Sequence, residues 1–197
     1  MKSKLSLILS LAVAATLLWA NSTTQAQTYV ANLDGPSESP PNASPGTGFA
    51  TITLNLALHT LQIDVTFSGL TGTTSAAHIH GPTAVPGTGT AGIATQSVLT
   101  GFPFGVTSGS YSHIFDTLDT ATYSSGFLAA NGGTAAGAEA GLASTLANGT
   151  AYFNIHSSTF PGGEIRGFLA VPEPATVSLI ALGGVGLLFA ARRAQRT

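Results

Sequence analysis

Two consecutive runs of strict alternation constrain this chain more than any other feature. From Ala50 to Leu58, the residues Ile52, Leu54, Leu56 and Leu58 alternate with Thr51, Thr53, Asn55 and Ala57. From Leu61 to Ser68, the residues Leu61, Ile63, Val65 and Phe67 alternate with Gln62, Asp64, Thr66 and Ser68. A period of two puts every apolar side chain on one face, which is the pattern of a half-buried strand and not of a helix. The short link through His59 makes the pair a hairpin.

Further strands are expected at Tyr29–Leu33, Ala76–His80, Ile93–Leu99, Ser110–Phe115, Ala151–His156 and Glu164–Ala170. The chain holds 24 Gly and 10 Pro, enough to divide a domain into many short strands. The predicted fold class is therefore all-β, an antiparallel β-sandwich or barrel. One segment departs from the pattern. Thr134–Ala147 is alanine-rich, carries Leu142 and Leu146 four apart and ends at Asn148-Gly149, which predicts one short helical insertion with a left-handed cap.

The two ends have a different composition. Residues 1–26 read as a signal peptide: Lys2 and Lys4, a nearly unbroken apolar run Leu5–Ala20, and the small-residue cleavage site Thr24-Gln25-Ala26. Residues 172–197 open with Pro172-Glu173-Pro174, continue through an apolar run at about 175–191 and finish with Arg192, Arg193 and Arg196. Seventeen apolar residues at about 1.5 Å each span roughly 25 Å, a short transmembrane helix whose arginines would stay cytoplasmic. That order closely resembles the PEP-CTERM sorting signal. The resemblance implies a Gram-negative exporter, processing of the tail by an exosortase-type membrane protease, and an association with exopolysaccharide and biofilm.

Between the ends, residues 27–171 carry seven carboxylates and one basic residue, Arg166. Such an acidic, lysine-free body suits cations, and six Lys+Arg in the whole chain exclude a nucleic-acid-binding surface. The absence of cysteine excludes disulfides, thiolate metal sites and thiol catalysis. Several stretches follow one another in a familiar order: Leu33-Asp34-Gly35 through Glu38-Ser39-Pro40-Pro41, Gly48-Phe49-Ala50-Thr51, Phe67-Ser68-Gly69-Leu70, Ala76-Ala77-His78-Ile79-His80-Gly81-Pro82, Ala151-Tyr152-Phe153-Asn154-Ile155-His156 and Pro161-Gly162-Gly163-Glu164-Ile165-Arg166-Gly167. This ordered set resembles the CHRD domain, and it implies an extracellular β-sandwich-like domain. The resemblance is thinnest over 83–135.

The sharpest chemical feature is His78 and His80, neighbours on one strand face with Ile79 on the other. Tyr152, Asn154 and His156 likewise share a face opposite Phe153 and Ile155. If Ile79, Phe153 and Ile155 face the core, the three histidines lie on the outer face. Should their strands be adjacent, the imidazoles converge on one cation, copper or zinc, with an open position. The His-x-His strand is also similar, as a short pattern only, to the copper-ligand strand of Cu,Zn superoxide dismutase. The alternative is a pair of hydrogen-bonding histidines at a strand end. His113, Glu38 and Glu164 are the candidates for a fourth ligand. His113 shares a face with Tyr111 and Phe115 and fits a partly buried role better, and His59 is expected to be exposed in its turn. Arg166 is expected to fix a turn through an ion pair with Glu164, or with Glu38.

No catalytic set emerges. Gly87–Gly92 matches a dinucleotide fingerprint as text but precedes no helical pattern, no G-x-S-x-G elbow exists, and Asp116 and Asp119 fit a solvated turn. The leading expectation is a non-enzymatic envelope or matrix protein acting through its surface. The alternatives are a copper- or zinc-binding module using His78, His80 and His156, and exopolysaccharide binding through Tyr111, Tyr123, Tyr152 and scattered Phe.

Overall fold

The computed structural model describes residues 26–172. Residues 1–25 of the predicted leader, Glu173, Pro174, the apolar run at about 175–191 and the C-terminal arginines lie outside the described residues. Among the described residues, no helix is long and apolar enough to cross a membrane.

Seven strands form one antiparallel sheet: β1 Gln27–Asp34, β2 Thr47–Asn55, β3 Thr60–Ser68, β4 Thr74–His80, β5 Gly109–Asp116, β6 Tyr152–Ser157 and β7 Ile165–Phe168. Their spatial order is β4-β6-β7-β1-β2-β3-β5. The two alternating runs pair as expected, with Ile52 opposite Ile63 and Leu54 opposite Leu61, so their apolar faces coincide. A slip of one residue would turn both sets to solvent, which fixes the register. The link between them turns at His59, whose φ is 53°.

The sheet curls around a single core built from Leu33, Ile52, Ile63, Ile79, Phe153, Ile155 and Ile165, all essentially inaccessible. The open side of the curl is covered by connections and helices instead of a second sheet. Leu99, Phe102 and Tyr123 come from connections, Phe127 from helix α1 (Ser125–Ala130), and Ala138, Leu142 and Leu146 from helix α2 (Ala135–Ala147). The predicted insertion at 134–147 is α2. Thr134 caps it by accepting from the Gly137 amide at 3.1 Å, and Gly149 follows its end with φ 65°. The sequence pattern missed α1, which is capped by Ser124 accepting from the Phe127 amide.

Ile93–Leu99 is not a strand. It makes only isolated bridges, His80 to Ile93 and Thr95 to Tyr123. The segment runs along the exposed edge of β4, where the Ala94 amide donates to the Ile79 carbonyl at 2.8 Å and Thr95 Oγ1 accepts from the Ile79 amide. Its apolar residues cover an edge that would otherwise be open to pairing.

Candidate metal centre

β4 and β6 are neighbours in the sheet, with His78 opposite Asn154 and His80 opposite Tyr152. Because alternate residues share a face, Ala77 and Ile79 enter the core with Phe153 and Ile155, while His78, His80 and His156 stand together on the reverse face. That face is roofed. His78 is 3% exposed, and Tyr152, Asn154 and Arg166 beside it are also buried. The connection after β4 folds over the histidines from one side, and the β6–β7 turn closes the other.

Each ring is held through its Nδ1. His78 Nδ1 lies 2.8 Å from the Ser97 carbonyl, His80 Nδ1 2.9 Å from Ala91 and His156 Nδ1 2.9 Å from Pro161. A carbonyl only accepts, so each Nδ1 must carry the proton and each neutral ring presents the Nε2 lone pair. Those lone pairs face one another. His78 Nε2 and His156 Nε2 are 3.0 Å apart, the three ligand atoms all lie within 4.8 Å of one another, and His80 Nε2 is buried with no partner. Two nitrogens on one zinc or copper ion at about 2.0–2.1 Å sit on the order of 3–3.5 Å apart. The His78–His156 spacing fits that arrangement, whereas bare lone pairs at this distance repel, and an ion would draw His80 in from within 4.8 Å.

A proton is a poor substitute for the ion. Burial, then the proximity of His80 and His156, pushes His78 down to about 3, against the pull of its bond to Ser97. Burial likewise pushes His80 down to about 4, and His156 is lowered for the same reason. Stacked rings fix the orientation further. Tyr152 lies parallel to His80 at 4.7 Å between centroids, and the Arg166 guanidinium sits 4.8 Å from the Tyr152 centroid.

None of the three expected fourth ligands joins the cluster. His113 is on β5, at the opposite edge of the sheet from β4, and packs between Tyr111 and Phe115. Glu164 is committed to the Ser44 hydroxyl at 2.6 Å and to the Thr71 and Gly72 amides. Burial pushes its carboxyl up, but hydrogen bonds from Ser157, Ser44, Thr71 and Gly72 outweigh that and hold it below the usual range. Glu38 faces Arg166, Oε2 to Nε at 3.8 Å, and Arg166 Nε also donates to the Ser37 carbonyl. Of the two partners expected for Arg166, the structure pairs it with Glu38, because the Ser44 hydroxyl and the backbone amides at 71–72 engage Glu164. Burial raises Glu38 to about 7 despite Arg166.

Two smaller expectations also change. His59 is not a free turn residue, since its Nδ1 lies 3.0 Å from Glu139 on α2. The three tyrosines offered for sugar stacking are all buried, leaving Phe49 and Phe104 as the exposed large aromatics among the described residues. Asp116 and Asp119 each accept from a backbone amide two residues ahead, as turn residues do.

The comparison with known families bears on the body and the tail separately. The family model described as the CHRD domain matches residues 29–169, most of the chain. The chain belongs to the CHRD-domain family. The PEP-CTERM protein-sorting motif matches residues 170–194. This CHRD protein is therefore exported and sorted to the envelope of a Gram-negative bacterium by way of an exosortase. No curated protein and no solved structure matches the chain. All three histidines lie within the CHRD match, on β4 and β6. The features that reading the sequence missed are the carbonyl partners Ser97, Ala91 and Pro161, which carry no side-chain signal.

Proposed function

We propose that this CHRD domain is an extracytoplasmic metal-binding module that holds one copper or zinc ion through Nε2 of His78, His80 and His156. The observation that carries the reading is the shared orientation of three neutral imidazoles. Each has its Nδ1 spent on a backbone carbonyl, which leaves Nε2 as the free nitrogen of each ring, and the cluster brings one ligand atom of each to within 4.8 Å of the others. Second partners of this kind are how proteins orient metal-bound histidines. Purely structural histidines would arrange donors against acceptors, and this cluster sets acceptor against acceptor. With three ligands from the protein, one position stays open for water or a small ligand.

Residues 27–171 would form the exported module. Residues 1–26 would be its leader, and the segment at about 175–191 a membrane anchor with a cytoplasmic C-terminus until processing. A role in the biofilm matrix follows from that address and not from the site. Metal content by plasma mass spectrometry tests the reading. One equivalent of copper or zinc per chain is expected after loading and dialysis, falling at least tenfold in His78→Ala/His80→Ala. A chain that retains no metal after exposure to both ions would sink the proposal.

A further inference from the structure

We infer that the three-histidine site is built for a monovalent ion, copper(I), in preference to copper(II) or zinc(II). The inference rests on the metal reading above and adds the charge state of the ion. Four observations support it, all concerning the charge and solvation of the site.

The ligand set carries no negative charge, since the cluster contains three imidazoles and no carboxylate. The surrounding shell carries none either. Histidines that bind divalent ions often donate their second nitrogen to a carboxylate. Here all three donate to neutral carbonyls, those of Ser97, Ala91 and Pro161. The carboxylates that might have supplied the charge are engaged elsewhere, Glu164 with Ser44, Thr71 and Gly72, and Glu38 with Arg166. Arg166 itself adds a fixed positive charge one ring away, over the Tyr152 that stacks on His80. The site is also largely withdrawn from water, with His78 at 3% exposure and His80 Nε2 fully buried.

The cost of holding charge in such a place grows with its square, so a doubly charged ion suffers about four times the desolvation of a singly charged one. Coordination number argues the same way. Zinc(II) takes four ligands and would need to import a fourth, whereas the filled d shell of copper(I) is satisfied by three nitrogens. An environment that disfavours the higher charge raises the potential of the one-electron couple.

Asn154 offers a direct test. It sits opposite His78 and two residues before His156 on the same face, is 3% exposed, and its Oδ1 has no partner. Asn154→Asp adds a negative charge there with almost no change in volume. The purified full chain would be titrated anaerobically with copper(I) against bicinchoninate, and with copper(II) and zinc(II) against chelators of known affinity. Copper(I) is expected to bind at least ~100-fold more tightly than copper(II), which places the couple about 120 mV above that of the free ion at ~59 mV per tenfold. Asn154→Asp, folded by circular dichroism, is expected to cut that ratio at least tenfold. Copper(II) or zinc(II) binding as tightly as copper(I), or a ratio unmoved by Asn154→Asp, would overturn the inference and leave the histidine site standing. Failure of all three ions to bind would instead remove the site itself.

Discussion

Glu38 shows what a buried acid does when its only charged partner is 3.8 Å away and one oxygen has no partner at all. Its carboxyl is raised to about 7 by burial, against an ordinary value of about 4.5. Between those two pH values the folded protein holds a proton that the unfolded chain has already lost. This group's contribution to stability is therefore fully present below about 4.5 and disappears as pH rises through 7. The difference is on the order of 3 kcal/mol. His78, His80 and His156, all lowered, tilt the curve the other way below about 6.5, so the comparison must be with a variant. Urea unfolding of metal-free protein from pH 4.5 to 8 should show the wild type losing more stability with rising pH than Glu38→Gln. Parallel curves would mean that Glu38 ionises normally. Gly163 belongs to the same corner. Its φ is +133°, and a Cβ there would lie 2.7 Å from both Asn154 Nδ2 and Glu38 Oε1, so the turn before β7 needs glycine for its backbone and for room.

At the scale of elements, α2 gives the core more than α1 does, through Ala138, Leu142 and Leu146 against Phe127 alone. Leu142→Ala should cost about 2–5 kcal/mol and Thr134→Ala at the cap about 1 kcal/mol, both read from urea denaturation. Neither should alter metal stoichiometry, because α2 lends no atom to the histidine cluster. A Leu142→Ala variant as stable as wild type would show that α2 is not part of the core. The same elements show which parts of the fold could be read in advance. β2 and β3 were legible because each is buried on one face only and alternates cleanly. β6 was legible as a strand, but its burial was not. Tyr152, Asn154 and Arg166 look like solvent-facing polar residues in sequence, yet the connections over β4, β6 and β7 bury them. Ile93–Leu99 looked like a strand because of its apolar residues, of which Ala94 and Leu99 do face inward, although its backbone pairs only at single bridges. α1 escaped notice because six residues are too few to show a helical period. The common face of His78 and His80 followed from spacing alone. Their meeting with His156 depended on β4 and β6 being neighbours, a pairing between segments more than 70 residues apart that no local pattern encodes.

For the whole molecule, the site ties two paired strands to the connections that roof them. The ligands sit on two strands, while the carbonyls that orient them come from Ala91 and Ser97 in the long β4–β5 connection and from Pro161 in the β6–β7 turn. An ion that fixes the rings therefore also fixes the connection through its hydrogen bonds to Nδ1. An ion at 100 times its dissociation constant stabilises the folded state by about 2.7 kcal/mol, or roughly 5–10 °C in a domain near 150 residues. The same coupling should appear locally. Residues 84–90 are exposed, and Arg166 is the only basic residue between Lys4 and Arg192, so trypsin cannot probe this loop. Thermolysin can, because Val85 and Val98 are apolar and about half exposed. Saturating metal should slow cleavage between 84 and 98 several-fold, as followed by mass spectrometry of the fragments, and should leave the rate unchanged in His80→Ala. If metal binds with full stoichiometry and raises the melting temperature while the loop is cut as fast as before, the carbonyl contacts do not transmit the ion's hold. The roof over the histidines would then be stable on its own packing, through Ala94 and Leu99, and the ion would be a guest of the site, not a fastening of the fold.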